Sequence, residues 1–317
     1  ARGAMSYMAQ CFYGYPAREM HGVGITGTKG KTTAAFMLQS IIKAAGESCG
    51  MIGSVNTDDG IECYESTNTT PEAPEVWRHI ANCRTSGRQS MVMEVSSQAL
   101  KYQRVENLPF DVACFLNIGR DHISPIEHPT FEDYFESKLR IFDQAKTAVV
   151  NLGTEEVDRV LEAALTADRL VTVGVEHPEA SLWASDVRMV GFSIEFNLHG
   201  LCADESETGE KVLLGIAGDF NVENALVAIA AAREIGIENG DWLWLESRRG
   251  KTQGRARVTK SVAPKVIYQE RFWAPELLDT DPERAYRVMN INVLTKNDEP
   301  YNPEYGTYTL RGFQVKV

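Results

Sequence analysis

Between residues 21 and 174, short apolar runs alternate with longer stretches whose apolar side chains recur at every third or fourth position. Gly22-Val23-Gly24-Ile25-Thr26 predicts a buried strand that breaks into a glycine loop, and further strands are predicted at Met91–Val95, Val112–Asn117, Ala148–Asn151 and Leu170–Val173. Helical spacing runs from Lys31 to Ala45, with Gly46 as its C-cap. A second helix is expected over Pro71–Ser86, with Thr70 as N-cap and Val76, Ile80 and Cys83 on one face. Others are expected at about Phe131–Gln144 and Glu155–Ala167, and an alanine-rich one over Asn221–Ile235. Strands separated by helices of this length imply βαβ units, and hence a doubly wound, mostly parallel α/β sheet. Val187 to Asn197 shortens and alternates, with apolar Val187, Met189, Phe192, Ile194 and Phe196, which predicts a small antiparallel addition. Beyond Ile237 the pattern fits neither period, Trp242-Leu243-Trp244-Leu245 included, and an irregular tail is expected.

Composition narrows the class. With 317 residues about two domains are expected, and 43% apolar with 24% charged residues argues against wholesale disorder. No apolar run is long enough for a membrane helix, and no apolar stretch follows Ala1–Met5 to suggest a leader. A net charge of −12 disfavours nucleic-acid and anionic-membrane partners. Six scattered cysteines without CxxC spacing read as buried thiols of a cytoplasmic protein.

Candidate chemistry collects at the predicted strand ends, where doubly wound sheets bind ligands. Gly24-Ile25-Thr26-Gly27-Thr28-Lys29-Gly30-Lys31-Thr32-Thr33 joins a strand to a helix. In such a loop backbone N–H groups converge on phosphate, Lys31 reaches the terminal phosphates and the Thr32 hydroxyl faces Mg²⁺. Glycines fall at 24, 27 and 30, and residue 25 is Ile where the strict phosphate-loop pattern has its first Gly. The alternative, a glycine turn that binds nothing, is the weaker reading. Glu94 ends a very apolar strand, where a carboxylate is either paired or functional, and Mg²⁺ is the natural partner beside a phosphate loop. Asp121-His122 ends the next strand, with a structural His as the alternative.

Taken together, Tyr13-Gly14-Tyr15-Pro16, Gly24 to Thr33, Asn68-Thr69-Thr70-Pro71, Met93 to Leu100, Asn117 to His122, Phe131 to Phe142, Gly218 to Ala225 and Gly254-Arg255 resemble the Mur ligase family, MurE-type UDP-N-acetylmuramoyl-tripeptide synthetases above all. The resemblance implies ATP-dependent amide formation in peptidoglycan precursor synthesis. A carboxylate of a UDP-N-acetylmuramoyl dipeptide is phosphorylated and an amino acid, L-lysine or diaminopimelate, displaces the phosphate. It implies that Gly27, Thr28, Lys29, Gly30, Lys31, Thr32 and Thr33 bind ATP, with Asn221, Asn224 and Arg255. It further implies Thr32 and Glu94 on a first Mg²⁺, and His122 with a carbamylated Lys138 on a second metal. Asn68, Thr69, Thr70, Ser96 and Arg104 would bind the muramoyl dipeptide. From the residues alone Lys138 reads as a solvated helix lysine, Asn68–Pro71 as a helix cap, and Asn221 and Asn224 as a capping and a surface residue. The family has three domains; the expectation here is an N-terminal stub over 1–20, a central ATPase domain over 21–253 and a truncated or atypical region over 254–317, with Arg257 where the family carries an acid. A monomer is expected. A folylpolyglutamate synthase and a non-catalytic nucleotide-binding remnant or partner subunit are the rival readings.

Overall fold

The central strand, β1 (His21–Thr26), is buried at every position after His21, as a strand covered on both faces must be. A computed structural model describes residues 2–121, 123–124, 126–200, 209–237, 242–247 and 250–255, the last two segments by backbone only. The chain divides into two compact units, one of residues 1–43 with 47–236 and one of 237–317 with 44–46.

In the first unit β1 lies between β5 (Ser90–Glu94) and β6 (Phe110–Phe115), parallel to both. β2 (Cys49–Ile52) continues the parallel sheet beyond β5, and β7 (Ala145–Asn151), β8 (Arg169–Val175) and β9 (Leu182–Val190) continue it beyond β6. Each edge is finished by antiparallel strands: β3 (Asn56–Asp58) and β4 (Cys63–Glu65) beside β2, β10 (Ser193–His199) and β11 (Glu210–Leu214) beside β9. The result is one eleven-stranded sheet. The chain moves from β1 to β2 on one side, returns to β5, then crosses to β6 on the other, so the order reverses around β1. That reversal opens a crevice at the carboxyl ends of β1, β5 and β6.

Helices α2 (Lys31–Ala44), α3 (Ala73–Thr85), α5 (Phe131–Leu139), α6 (Val157–Ala164) and α7 (Phe220–Glu234) follow the expected order. Two further helices were not predicted: α1 (Arg2–Phe12) and the five-residue α4 (Ser97–Lys101). α1 packs on α3, where the Trp77 indole donates to Ser6 Oγ at 2.8 Å. Trp77, Val76, Ile80 and Cys83 from α3 join Phe110, Phe115, Phe135 and Phe142 in one buried hydrophobic cluster.

Several expectations need correction. The predicted Phe131–Gln144 helix ends at Leu139 and tightens into a 3₁₀ turn over Arg140–Gln144. The antiparallel β expected over 187–197 is present, as the end of β9 and the start of β10 with Gly191 at φ +64° turning the chain between them. Thr70 does not cap α3: the N-cap is Glu72, Pro74 occupies the first turn, and Thr70 is buried. Asn221 is not a cap either, since Asp219 precedes α7 in that position. The cysteines are not uniformly buried. Cys49, Cys83 and Cys114 are, and burial pushes the Cys49 and Cys83 thiols up to about 12; Cys11 and Cys63 are exposed. Cys202 lies outside the described residues.

In the second unit, the Trp-Leu-Trp-Leu run forms β12 (Trp242–Ser247), paired antiparallel with β13 (Gly250–Arg255). A hairpin is therefore present where no period was legible. No described helix is long and apolar enough to cross a membrane.

Candidate nucleotide and metal site

The loop between β1 and α2 is tied down from three sides. Asn117, just past β6, accepts from Lys29 N–H at 2.9 Å and donates its amide to Lys29 O at 3.1 Å. Its own carbonyl accepts from Thr28 N–H at 2.9 Å. The Thr28 hydroxyl meets Gly119 N–H at 3.0 Å and the Tyr134 hydroxyl at 3.0 Å. Gly30, at φ +85°, packs against Asn224 Oδ1 of α7 so closely that a Cβ there would overlap it. Lys31, Thr32 and Thr33 form the first turn of α2, whose unpaired N–H groups and dipole favour an anion.

Two lysines converge on this loop. Lys31 Nζ donates to Gly27 O at 2.9 Å and to Thr28 O at 3.2 Å. Lys138 Nζ, from α5, donates to the same Gly27 carbonyl at 2.8 Å. Lys138 is only 2% exposed and sits over the Tyr134 ring, so it is not a solvated helix lysine. Burial, reinforced by the Lys31 ammonium, holds the Lys138 amine well below the usual lysine range. Lys31 is also lowered by burial, against the pull of Glu94 and Asp121. Two lysine nitrogens crowding one neutral carbonyl make a place where a phosphate oxygen is a better partner for Lys31.

Glu94, at the end of β5, is buried, and its Oε2 accepts from the Thr32 hydroxyl at 2.8 Å. Ser54 donates from its N–H to Oε1 at 2.8 Å and from its hydroxyl to Oε2 at 3.1 Å. A carboxylate and a phosphate-loop hydroxyl in direct contact are a donor set that suits Mg²⁺ alongside phosphate oxygens. The same hub runs into the predicted substrate stretch. Ser54 Oγ, its hydrogen given to Glu94, accepts from the Thr69 hydroxyl at 3.0 Å, and the Thr70 hydroxyl donates to Glu94 O at 2.9 Å. Ser96 N–H donates to Thr70 Oγ1 at 3.0 Å, while Ser96 Oγ caps α4 by accepting from Ala99 N–H. Arg104 donates to Thr70 O at 3.0 Å and pairs with Glu72 at 2.8 Å, leaving its buried Nε without a partner.

The structure thus brings Gly27, Thr28, Lys29, Gly30, Lys31, Thr32, Glu94, Lys138 and Asn224 around one loop, with Thr69, Thr70, Ser96 and Arg104 linked to it through Glu94. Asn221 donates to Ala217 O and accepts from Asn224, which orients the pair at the start of α7. Asn68 is exposed and makes no side-chain contact with this network among the described bonds. His122 lies outside the described residues, as does the Arg255 side chain. Ser54 was missed because a lone serine after a short strand carries no pattern; Asn117 and Tyr134 stood inside recognised motifs without roles.

The Mur ligase middle-domain model matches residues 25–232. A second model, a molydopterin dinucleotide binding domain, matches residues 213–311, most of which lie outside the described residues. The chain is similar to a UDP-N-acetylmuramyl-tripeptide synthetase of Bifidobacterium longum (strain NCC 2705), 41% identical over 251 residues that cover 76% of this chain and 47% of that protein. It is similar to a UDP-N-acetylmuramoyl-L-alanyl-D-glutamate–L-lysine ligase of Streptococcus suis (strain 05ZYH33), 37% identical over 75% of this chain and 47% of that protein. The chain therefore spans about half the length of the curated relatives it matches. Among solved structures, a UDP-N-acetylmuramoyl-L-alanyl-D-glutamate–2,6-diaminopimelate ligase superposes with TM-score 0.64 at 23% identity, covering 75% of this chain and 49% of that one. A Mycobacterium tuberculosis folylpolyglutamate synthase complexed with ADP and AMPPCP superposes at 0.56 and 17%, covering 73% of this chain and 58% of that one. At those identities the likeness is one of fold.

Proposed function

The chain belongs to the Mur ligase family, and on that footing we propose that it is the ATP-binding middle domain of a UDP-N-acetylmuramoyl-tripeptide synthetase. In this reading the central domain extends over 21–253, residues 1–20 are a stub of the UDP-binding domain, and 254–317 form an atypical C-terminal region. The reaction is the phosphorylation of a carboxylate of UDP-N-acetylmuramoyl-L-alanyl-D-glutamate by ATP, followed by attack of the amine of L-lysine or diaminopimelate on the acyl phosphate. Phosphate leaves and an amide forms.

The observation that carries the proposal is the contact of Thr32 with Glu94 across the mouth of the phosphate loop. Phosphoryl transfer asks a protein mainly for positioning and charge neutralisation. Lys31 is folded onto Gly27 O and Thr28 O and exchanges those carbonyls for the β- and γ-phosphate oxygens. Thr32 and Glu94 would hold Mg²⁺, which would supply charge neutralisation for the phosphates. Thr70, Ser96 and Arg104, joined to Glu94, orient the acceptor carboxylate, with Asn68 and Thr69 beside them, and an Arg fork suits a carboxylate. Asn221, Asn224 and Arg255 contact the nucleotide. Lys138 is a buried amine kept neutral more readily than an exposed one, and only a neutral amine takes up CO₂. Its carbamate, with His122, would hold a second metal. The chain acts as a monomer in the cytoplasm.

A remnant that binds nucleotide without ligating is the second reading, favoured by the different family model over 213–311. The folylpolyglutamate synthase reading is weaker, since curated relatives at 36–41% identity carry muramoyl-peptide names. One assay separates these: ADP release from MgATP with UDP-N-acetylmuramoyl-L-alanyl-D-glutamate, with and without lysine or diaminopimelate. Release that requires one amino acid is the expected result. MgATP binding with no release under any combination would overturn ligation by this chain and leave the remnant.

A further inference from the structure

The loop between β6 and α5 carries Asp121 and His122 in sequence, and among its described residues the regular pairing is a single bridge between Ile123 and His128. His128 anchors the described residues of this loop. That imidazole is fully buried; its Nδ1 lies 2.6 Å from Asp133 Oδ2 in α5 and its Nε2 lies 3.0 Å from Ser97 Oγ in α4. A carboxylate can only accept, so Nδ1 carries the hydrogen. The connectivity is that of a serine, histidine and aspartate relay, but Ser97 is 5% exposed and His128 is sealed, so no substrate reaches either. The three residues act instead as a strut between two helices and the loop.

Neighbouring bonds run the same way. Lys101 of α4 donates to Glu127 O at 3.0 Å and to Asp133 Oδ2 at 2.6 Å, and Gln98 of α4 donates to Glu127 Oε1 at 2.9 Å. Ser124 N–H donates to His128 O at 2.9 Å, closing the loop on itself. The His128 ring also packs edge-on against Tyr134, whose hydroxyl meets Thr28 of the phosphate loop. The strut therefore touches the helix capped by Ser96, the loop bearing Asp121 and His122, and the phosphate loop.

We propose that His128 is a positioning residue that locks the 119–130 loop to α4 and α5, so that the metal-side residues of that loop are held in register with the Ser96 end of the site. This rests on the MgATP reading above, and its experiment separates the two. ATP affinity of the full chain is measured by calorimetry with Mg²⁺ and with EDTA, for the unaltered protein, His128→Ala, His128→Gln and Ser97→Ala, alongside hydrogen exchange of the same proteins. The expected result is that His128→Ala loses about tenfold in ATP affinity with Mg²⁺ and keeps its affinity in EDTA, as an outer-shell partner of a metal site does. His128→Gln, which can still donate and accept, retains more, and Ser97→Ala shows a smaller loss of the same kind. Amides over 123–130 exchange faster in His128→Ala while those of β1 do not change. Equal losses with and without Mg²⁺, or none, would overturn the proposal. If the unaltered chain binds no ATP, the MgATP reading fails; unchanged exchange over 123–130 would then overturn the strut as well, and should His128→Ala not fold, Ser97→Ala supplies the same readouts.

Discussion

Two buried polar clusters stand on either side of β2, and they are built on opposite principles. The first joins Asp59, from the turn after β3, to α3. Asp59 and His79 are fully buried; His79 Nδ1 lies 2.7 Å from Asp59 Oδ2, and Asn82 donates to the same oxygen at 2.8 Å. The N–H groups of Ile61 and Glu62 donate to Asp59 Oδ1, and His79 Nε2 meets the Tyr64 hydroxyl at 2.9 Å. Burial raises the Asp59 carboxyl, but these hydrogen bonds outweigh it and hold the group below the usual carboxylate range. The second cluster is the phosphate loop, where Lys31 and Lys138 crowd one neutral carbonyl and both are lowered by burial. A polar group satisfied on every side stabilises a fold; one held against its preference is poised for a ligand.

The largest effect expected from this contrast is on stability. Asp59→Ala leaves a buried imidazole, an amide and two N–H groups without their acceptor. It should destabilise the protein by about 3–5 kcal/mol in urea unfolding, with the MgATP affinity of the remaining folded protein unchanged. Because the Asp59 carboxyl is lowered on folding, its contribution is fully present above pH 3.8, the unfolded value, and is lost as pH falls through the folded one. Lys31→Ala should do the reverse. Removing the loop cation is expected to cost at least a hundredfold in MgATP affinity, about 2.7 kcal/mol, with little change in urea midpoint. Undiminished affinity in calorimetry would sink the phosphate-loop reading.

Lys138 sharpens the comparison through pH. Its folded value lies well below the unfolded 10.5, so the unfolded chain binds more protons between those two values and stability rises with pH across that window. Lys138→Met keeps the length and removes the charge, and it should flatten that part of the stability profile while stabilising the protein near neutral pH. A parallel rise in both proteins would show that the buried amine is not the source. In ¹³C-bicarbonate the unaltered chain should give a carbamate signal that Lys138→Met lacks.

The same contrast explains what the sequence could and could not disclose. The parallel strands were legible because burial on both faces leaves unbroken apolar runs, as in Met91-Val92-Met93. β3 and β4 were not, being three residues long, β4 exposed throughout and β3 buried only at Thr57. α1 buries Ser6 and Gln10 while Met8 and Phe12 face out, so its apolar pattern runs against its packing. The phosphate loop and Glu94 could be found from their place at strand ends. Lys138 could not be told from a surface lysine without the family motif, because its burial comes from packing against the phosphate loop, 111 positions away in the chain. Ser54 and the Asp59–His79 pair likewise depend on contacts between distant segments.

The smallest expected effect bears most directly on the contrast. Ligand atoms of Asp59, Glu62 and His79 lie within 4.8 Å of one another, which is close enough to invite a metal. The bonding argues otherwise: four donors already occupy Asp59, and Glu62 is turned to Arg78 at 2.5 Å on the protein's surface. A metal there would have to displace hydrogen bonds that are already made. Glu62→Gln should therefore cost less than about 1 kcal/mol, as partly exposed ion pairs do, and neither zinc nor EDTA should move the melting temperature of the unaltered chain. A zinc-dependent rise in melting temperature that Glu62→Gln abolishes would reverse the assignment and make this cluster a binding site. The distinction between satisfied and poised polar groups would then fail on the example that defines it.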